Sequence, residues 1–394
     1  MLILEGIDLS LIVDEHRQYL ADPTRVSVFR QAITEVVKPG DIVLDLGAGT
    51  GIMGLLACAA GAERVYYIDG GGMVELAREV CRANGFQDRV KFIKGLSTRV
   101  DLPEKVNVVV ADQIGRFGFE AGVWEYFSDA RQRFLKPGGV LIPSRIDLYV
   151  VPIECPEMFA QVEFWNHSPA GFDFGPARNI AANTGYPTKY RAEHLLGGPV
   201  ILTSIDLYAE CQPLNVEVSA IATRSGTLHG IGGWFSAQLS PRVTMTNSPL
   251  AEQRITRNNV FFPIDRPVQL AEGDTVGIKM RIDPTEVMVT WKVEVWEKAD
   301  TARGHERRAK KASFAHSTFR GMLITNEDLQ RTKPHFIPRL SPWGEARQTI
   351  LNLCDGRRSL CDIEQEVYRR HQELFPSLGK AAAFVAEVIT RYSV

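Results

Sequence analysis

The stretch Asp45-Leu46-Gly47-Ala48-Gly49-Thr50-Gly51 has the residue types and spacing to hold a ligand through its backbone. Glycine lacks a Cβ, so the chain can turn sharply there and bring main-chain N–H groups close to a bound molecule. A dinucleotide fingerprint would want its third glycine at position 52, but that residue is Ile52 and the glycine stands at 51. Asp45 precedes the turn, where a carboxylate can face an amino-acid ammonium. A second acid, Asp69, closes the next apolar run 18 residues after Gly51, where it can take both hydroxyls of a ribose. These features suit a ligand made of ribose, adenine and a cationic amino acid better than a diphosphate. S-adenosylmethionine has those parts. A purely structural glycine turn and a nicotinamide site are the competing readings.

Such residues need strands and helices to carry them. Short β-rich runs occur at 42–46, 64–69, 90–94, 106–111 and 139–142, with helical spacing at 52–60, 73–84 and 122–135. Alternating strands and helices predict a parallel sheet with crossover helices over about 35–145. Beyond Pro143 the pattern changes to alternating β segments separated by Gly, Pro, Asn and Asp, ending in VMVTWKVEVW (287–296) with its period of two. This argues for a second, all-β domain. The stretch 298–311 holds six basic and two acidic side chains and reads as a solvated linker or surface helix. Helical spacing returns at 344–354, 361–371 and 379–391.

The 394 residues suffice for two or three domains. Forty-five Lys and Arg against 47 Asp and Glu give a net charge of −2, so no global basic field points to nucleic acid. No apolar run approaches the ~18 residues that span a bilayer, and the N-terminus lacks the basic region of a signal peptide. No two of the six cysteines form a C-x-x-C pair, which predicts reduced, mostly buried thiols in the cytoplasm. The histidines are scattered, and no metal site is expected.

With these residues in view, about 10–297 of the chain resembles the class I S-adenosylmethionine methyltransferases, and among them the protein arginine methyltransferases. The family's segment H-x-x-x-L-x-D-x-x-R appears as His16, Leu20, Asp22 and Arg25. The resemblance implies that Arg25 holds the cofactor's carboxylate and that His16 lies over the cofactor. It also implies that Gly47, Gly49 and Gly51 cradle the cofactor, with Asp45 and Asp69 in the roles above. KGLSTRVDLP (94–103) resembles the adenine-contacting stretch, which implies Ser97 and Thr98 near the adenine. GFDF (171–174) resembles the start of the dimerisation arm, implying a homodimer.

In that family two glutamates on the loop after strand four hold the acceptor. Here the loop is ADQIGRFGFEAGV (111–123), one residue shorter, with Asp112 at the first acidic position and Glu120 near the second. Asp112 and Glu120 are therefore the candidate catalytic residues, expected to serve the acceptor and not the cofactor. The segment 6–16 has no tyrosine where the family carries them, and the T-H-W triplet is replaced by Arg254, Ile255 and Thr256. A carboxylate at this sheet edge can orient an N–H group and stabilise developing positive charge.

Leu340, Ser341, Pro342 and Gly344, followed by ILNLCDGRRSLCDIEQEV (350–367), resemble the helical part of a PqqD-like, peptide-recognising domain. The expected architecture is therefore α/β: a Rossmann-like, seven-stranded cofactor domain (1–145), a β-barrel-like substrate and dimerisation domain (146–297), a basic linker (298–330) and a small helical, winged-helix-like domain (331–394). The expected function is N-methylation of a peptide or protein side chain, with a precursor peptide recruited by 331–394. A small-molecule methyltransferase and a cofactor-retaining, peptide-binding scaffold are the alternatives. No nucleic acid or membrane partner is expected.

Overall fold

The computed structural model describes residues 9–298 and 309–393. Most of the basic stretch 298–311, at 299–308, lies outside the described residues. Two units form, residues 15–323 and a smaller one that contains 324–393.

In the larger unit, the part of α1 (Leu9–Leu20) from residue 15 onward and α2 (Pro23–Val36) precede β1 (Ile42–Leu46), α3 (Ile52–Ala59), β2 (Arg64–Asp69), α4 (Met73–Ala83), β3 (Val90–Lys94), β4 (Val106–Val110), α5 (Val123–Arg133) and β5 (Leu135–Ile142). The strands form a parallel sheet in the order β3-β2-β1-β4-β5. Val43, Leu44, Val65, Val108 and Val109 are buried, because crossover helices flank such a sheet and its strands read as near-continuous apolar runs. The order reverses between β1 and β4, so the crevice at their carboxyl ends is where an open α/β sheet takes its ligand. Both loops singled out in the sequence, 47–51 and 111–122, start there.

Among the described residues the sheet has five strands, not the expected seven. After Pro143 the chain leaves it, and β6 (Arg145–Ile153) pairs instead in an antiparallel sheet. There follow α6 (Pro156–Glu163), α7 (Gly175–Ala181), β7 (Tyr186–Thr188), β8 (Val200–Asp206), β9 (Leu214–Ile221), β10 (Gly226–Gln238), β11 (Thr244–Thr246), β12 (Asn259–Leu270), β13 (Thr275–Asp283), β14 (Met288–Trp296) and β15 (Lys310–Ser317). One sheet runs β7-β12-β10-β6-β8 with β11 on β10; the other runs β15-β14-β13-β9. Their inner faces interleave: Trp291 of β14 donates its indole N–H to the Pro263 carbonyl of β12 at 2.8 Å and packs on Phe262. Val289, Trp291, Val293 and Val295 are buried, as the period of two in 287–296 requires.

β15 corrects the expectation of a linker over 298–330. Its inward residues Ala312, Phe314 and His316 alternate with Lys311, Ser313 and Ala315, a pattern too weakly apolar to register as a strand without the β14 edge that it covers. The smaller unit contains α8 (Asn326–Arg331), α9 (Pro342–Leu353), α10 (Leu360–Arg370) and α11 (Leu378–Tyr392) around Ile350, Val367, Ala381 and Val385. It is helical and has no strand among its described residues, so the wing of the winged-helix-like expectation is not found there. All six cysteines are free, but only Cys58, Cys81 and Cys155 are buried; Cys354 and Cys361 lie exposed on polar helix ends. No described helix is long and apolar enough to cross a membrane.

Candidate active site

β1 delivers Asp45 and the glycine turn. Gly47, Gly49 and Gly51 have φ of +70°, +52° and +77°, a region that side chains with a Cβ seldom enter. A Cβ on Gly47 would lie 2.2 Å from Gln113 Nε2, and one on Gly49 would lie 2.5 Å from His16 Cε1. The glycines therefore serve both turn and close approach. Gly51 caps α3, whose N-terminus faces the turn.

Asp22 caps α2, accepting the Arg25 backbone N–H at 3.0 Å. Its second oxygen accepts from the Thr256 N–H and hydroxyl at 2.6 and 3.0 Å, tying α2 to the β domain through Thr256. This cap places Arg25 on the buried face of α2. Arg25 Nε donates to Asp112 Oδ2 at 2.5 Å and Nη1 donates to the Tyr19 carbonyl at 3.2 Å. Arg257 Nη2 donates to the same Asp112 oxygen at 2.9 Å, and its Nη1 donates to the Gly115 carbonyl at 3.3 Å. Both guanidiniums lie over the Tyr19 ring, at 5.3 and 5.9 Å.

A cleft of about 210 Å³ joins these groups, lined by His16, Tyr19, Arg25, Asp45, Gly47, Gly49, Asp112 and Gln113 among others. Burial alone would push the Asp112 carboxyl up, but Arg257 and Arg25 outweigh it and hold it below the usual carboxylate range. Its Oδ1, and the Oε1 of Gln113, are buried with no hydrogen-bond partner. Two orphaned acceptors in a cleft call for a donor-rich ligand. Asp45 is driven the other way: burial raises its pKa to about 7, against the Gly54 N–H that donates to it at 2.8 Å.

Of the sequence-predicted residues, His16, Arg25, Asp45, Gly47, Gly49 and Asp112 thus meet in one cleft, with Gly51 at its α3 end. Asp69 serves the glycine turn itself, accepting from Gly49 N–H at 2.8 Å and Gly71 N–H at 2.7 Å. Ser97 is buried with its carbonyl held by Arg133 at 2.9 Å, and Thr98 is exposed; neither lines the cleft. Glu120 is a correction. Its carboxylate turns into its own loop and accepts the Arg116, Phe117 and Phe119 N–H groups, so it does not face the cleft. Asp112 also departs from its expected isolation, being bonded to the residue assigned to the cofactor.

Three residues escaped the sequence reading: Tyr19 and Gln113, which line the cleft, and Arg257, which bonds to Asp112. Tyr19 lies one helical turn from His16 on α1, so helix spacing would have found it. Gln113 follows Asp112 directly. Arg257 carried no local signal, since its partner lies 145 residues away in sequence.

Comparison with known proteins bears on the family and the fold. Residues 144–296 match the arginine methyltransferase oligomerization subdomain, and residues 23–146 match the ribosomal protein L11 methyltransferase model. Protein arginine N-methyltransferase 6 of Xenopus laevis is 28% identical over 290 residues, covering 70% of this chain and 85% of that protein. Protein arginine N-methyltransferase 1 of Dictyostelium discoideum is 35% identical over 279 residues, covering 68% of this chain and 81% of its own. The chain belongs to the protein arginine methyltransferase family. As a member it is an S-adenosylmethionine-dependent methyltransferase. Arabidopsis thaliana protein arginine methyltransferase 10 shares the fold at a TM-score of 0.67 and 21% identity, covering 78% of this chain and 98% of its own. The Trypanosoma brucei enzyme–prozyme heterotetramer with S-adenosylhomocysteine does so at 0.67 and 18%, covering 77% and 98%. The cleft lies at the carboxyl ends of β1 and β4, the edge where such a sheet takes its ligand. Its glycine cradle, the Arg25 fork and the orphaned Gln113 oxygen fit a ligand with an amino-acid head.

Proposed function

We propose that this enzyme methylates a nitrogen of a peptide or protein side chain, with a precursor peptide as the substrate class, and that it works as a cytoplasmic homodimer. The observation that carries the reading is Asp112: an ionised, buried carboxylate at the end of β4 with one oxygen free of any protein partner. The cofactor, when bound, supplies an electrophilic methyl group on a sulfonium. Arg25, braced by Asp112 and the Tyr19 carbonyl, keeps Nη2 for the cofactor's carboxylate. Asp112 Oδ1 accepts an N–H of the incoming nitrogen, which aims its lone pair and stabilises the charge that develops on it. In place of a paired-glutamate clamp, Asp112 acts alone and Glu120 anchors the loop that carries it.

The C-terminal unit supports peptide recruitment through an aromatic groove of about 390 Å³ around Trp343, Phe375 and Phe384, flanked by Arg347 and Lys380. This is the basis for keeping the PqqD-like reading, with side-chain pockets rather than strand addition as the means of grip. Phe164, Phe172 and Phe174, exposed around α6 and α7, supply the apolar arm that a homodimer would bury. Six free thiols suit a reducing compartment.

The test is transfer of labelled methyl from S-adenosylmethionine to peptides that differ only in an Arg, Lys, His or Gln acceptor, with the labelled residue identified by mass spectrometry. Label confined to small metabolites, and never on a polypeptide, would overturn the reading.

A further inference from the structure

Beside the cofactor cleft, on the β-domain side of Arg257, lies a second pocket of about 230 Å³. Arg257 lines it and at the same time pairs with Asp112, which lines the first, so an ion pair connects the two spaces. The floor is a fully satisfied polar network. Asn259 Nδ2 donates to the Asn247 carbonyl at 2.7 Å, the Tyr190 N–H donates to Asn259 Oδ1 at 3.2 Å, and Asn247 Nδ2 donates to the Arg116 carbonyl at 2.8 Å. These amides have little left to offer a ligand. The remaining donors are cationic: Lys189 and Arg254, both exposed, and Arg257 at the inner end. Arg254 is fixed through Nη1 to the Pro249 carbonyl. No carboxylate occurs among the described residues that line the pocket.

We propose that this pocket is an anion subsite that takes a carboxylate of the substrate beside the acceptor nitrogen, so that the enzyme prefers acidic over basic flanking sequence. The proposal rests on the peptide-substrate reading above. Lys189 and Arg254, with Arg257 behind them offset by Asp112, attract a carboxylate and repel an arginine-rich segment, an effect that salt weakens because both are exposed.

The test uses the full chain saturated with S-adenosylhomocysteine and short fluorescein-labelled peptides, capped at both ends and rich in Glu, Gln or Arg. A fourth peptide is Gln-rich with a free C-terminal carboxylate. At low salt the Glu-rich peptide should bind about tenfold more tightly than the capped Gln-rich one and lose that advantage at high ionic strength. Lys189→Glu and Arg254→Glu should each remove most of the advantage, while S-adenosylhomocysteine affinity stays within about twofold as a control for folding. If the free-terminus peptide binds best, the subsite stands and reads a chain end instead of a side chain. Equal or tighter binding of the Arg-rich peptide overturns the proposal. So does Glu-rich binding that survives both charge reversals, since it then belongs elsewhere on the chain. None of these readouts needs methyl transfer. Failure of turnover on every peptide would sink the functional reading separately.

Discussion

Asp45 and Asp112 lie in one cleft, yet their environments drive them apart. Asp112 is held ionised by two guanidiniums, while Asp45 is pushed up to about 7 by burial. The sign for Asp45 follows: its contribution to folding is fully present below its unfolded value and is lost as pH rises through about 7. A bound ammonium favours the ionised form, so below about 7 binding must release a proton. S-adenosylhomocysteine affinity should therefore fall by up to ~10-fold per pH unit as pH drops from 7. Asp45→Asn should flatten that profile, and calorimetry in two buffers of different ionisation enthalpy would show the proton. A profile that is flat in wild type removes Asp45 from the ammonium. Asp112→Asn should cut turnover by ~10²–10⁴, the range for a charge-stabilising group. Because Asp112 also braces Arg25, the same change should weaken S-adenosylhomocysteine binding by about 1–3 kcal/mol. Unchanged affinity would restore the sequence expectation that this carboxylate serves the acceptor alone. For Asp112 itself the sign is opposite to Asp45: its lowered pKa contributes stability above the unfolded value, lost as pH falls through the folded one.

At the scale of the element, the loop 111–122 is held by its own acid. Glu120 satisfies the Arg116, Phe117 and Phe119 N–H groups, which no strand or helix partner takes. Glu120→Gln keeps the shape but leaves only one oxygen to accept them. Hydrogen exchange at these three amides should rise by about tenfold or more, matching the ~1–2 kcal/mol of charge-assisted bonds weakened, with turnover falling in parallel. Turnover that falls while exchange stays unchanged would return Glu120 to the acceptor and make the loop rigid on other grounds. The same reasoning applies to the Asp22 cap. Asp22→Ala should lower stability by about 1–2 kcal/mol and loosen Arg25 one turn along, read as a lower denaturation midpoint together with weaker cofactor binding.

For the whole molecule, the placement of β15 decides where the chain can be cut. A chain ending near residue 301 removes a strand hydrogen-bonded along β14 from Thr290 to Trp296 and exposes that edge. A chain ending at Leu323 keeps every element of the larger unit. The longer truncate should bind S-adenosylhomocysteine within about twofold of the full chain and lose affinity for a full-length precursor; the shorter one should aggregate or melt earlier. Undiminished precursor affinity in the longer truncate would make α8–α11 a structural addition rather than a recruiting element.

What the sequence determined by itself was local. Three glycines at 47, 49 and 51 after an apolar run admit only a tight turn at a strand end, and β1, β2, β3 and β4 lie where their β-branched runs lie. The helices of the C-terminal unit follow from Ser341, Ser359 and Ser377, each accepting an N–H at its own helix start. The assembly of the site was not legible. That Glu120 turns inward, that Asp69 serves the turn, and that Thr98 points to solvent depend on which backbone donors the fold leaves unpaired nearby. Arg257 reaches Asp112 only because β12 and the segment before it pack against the mouth of the parallel sheet. β15 is a strand only because β14 offers it an edge. Spacing along the chain encodes periodicity and capping, which act within a few residues; ion pairing between residues 112 and 257 is a property of where two distant segments meet.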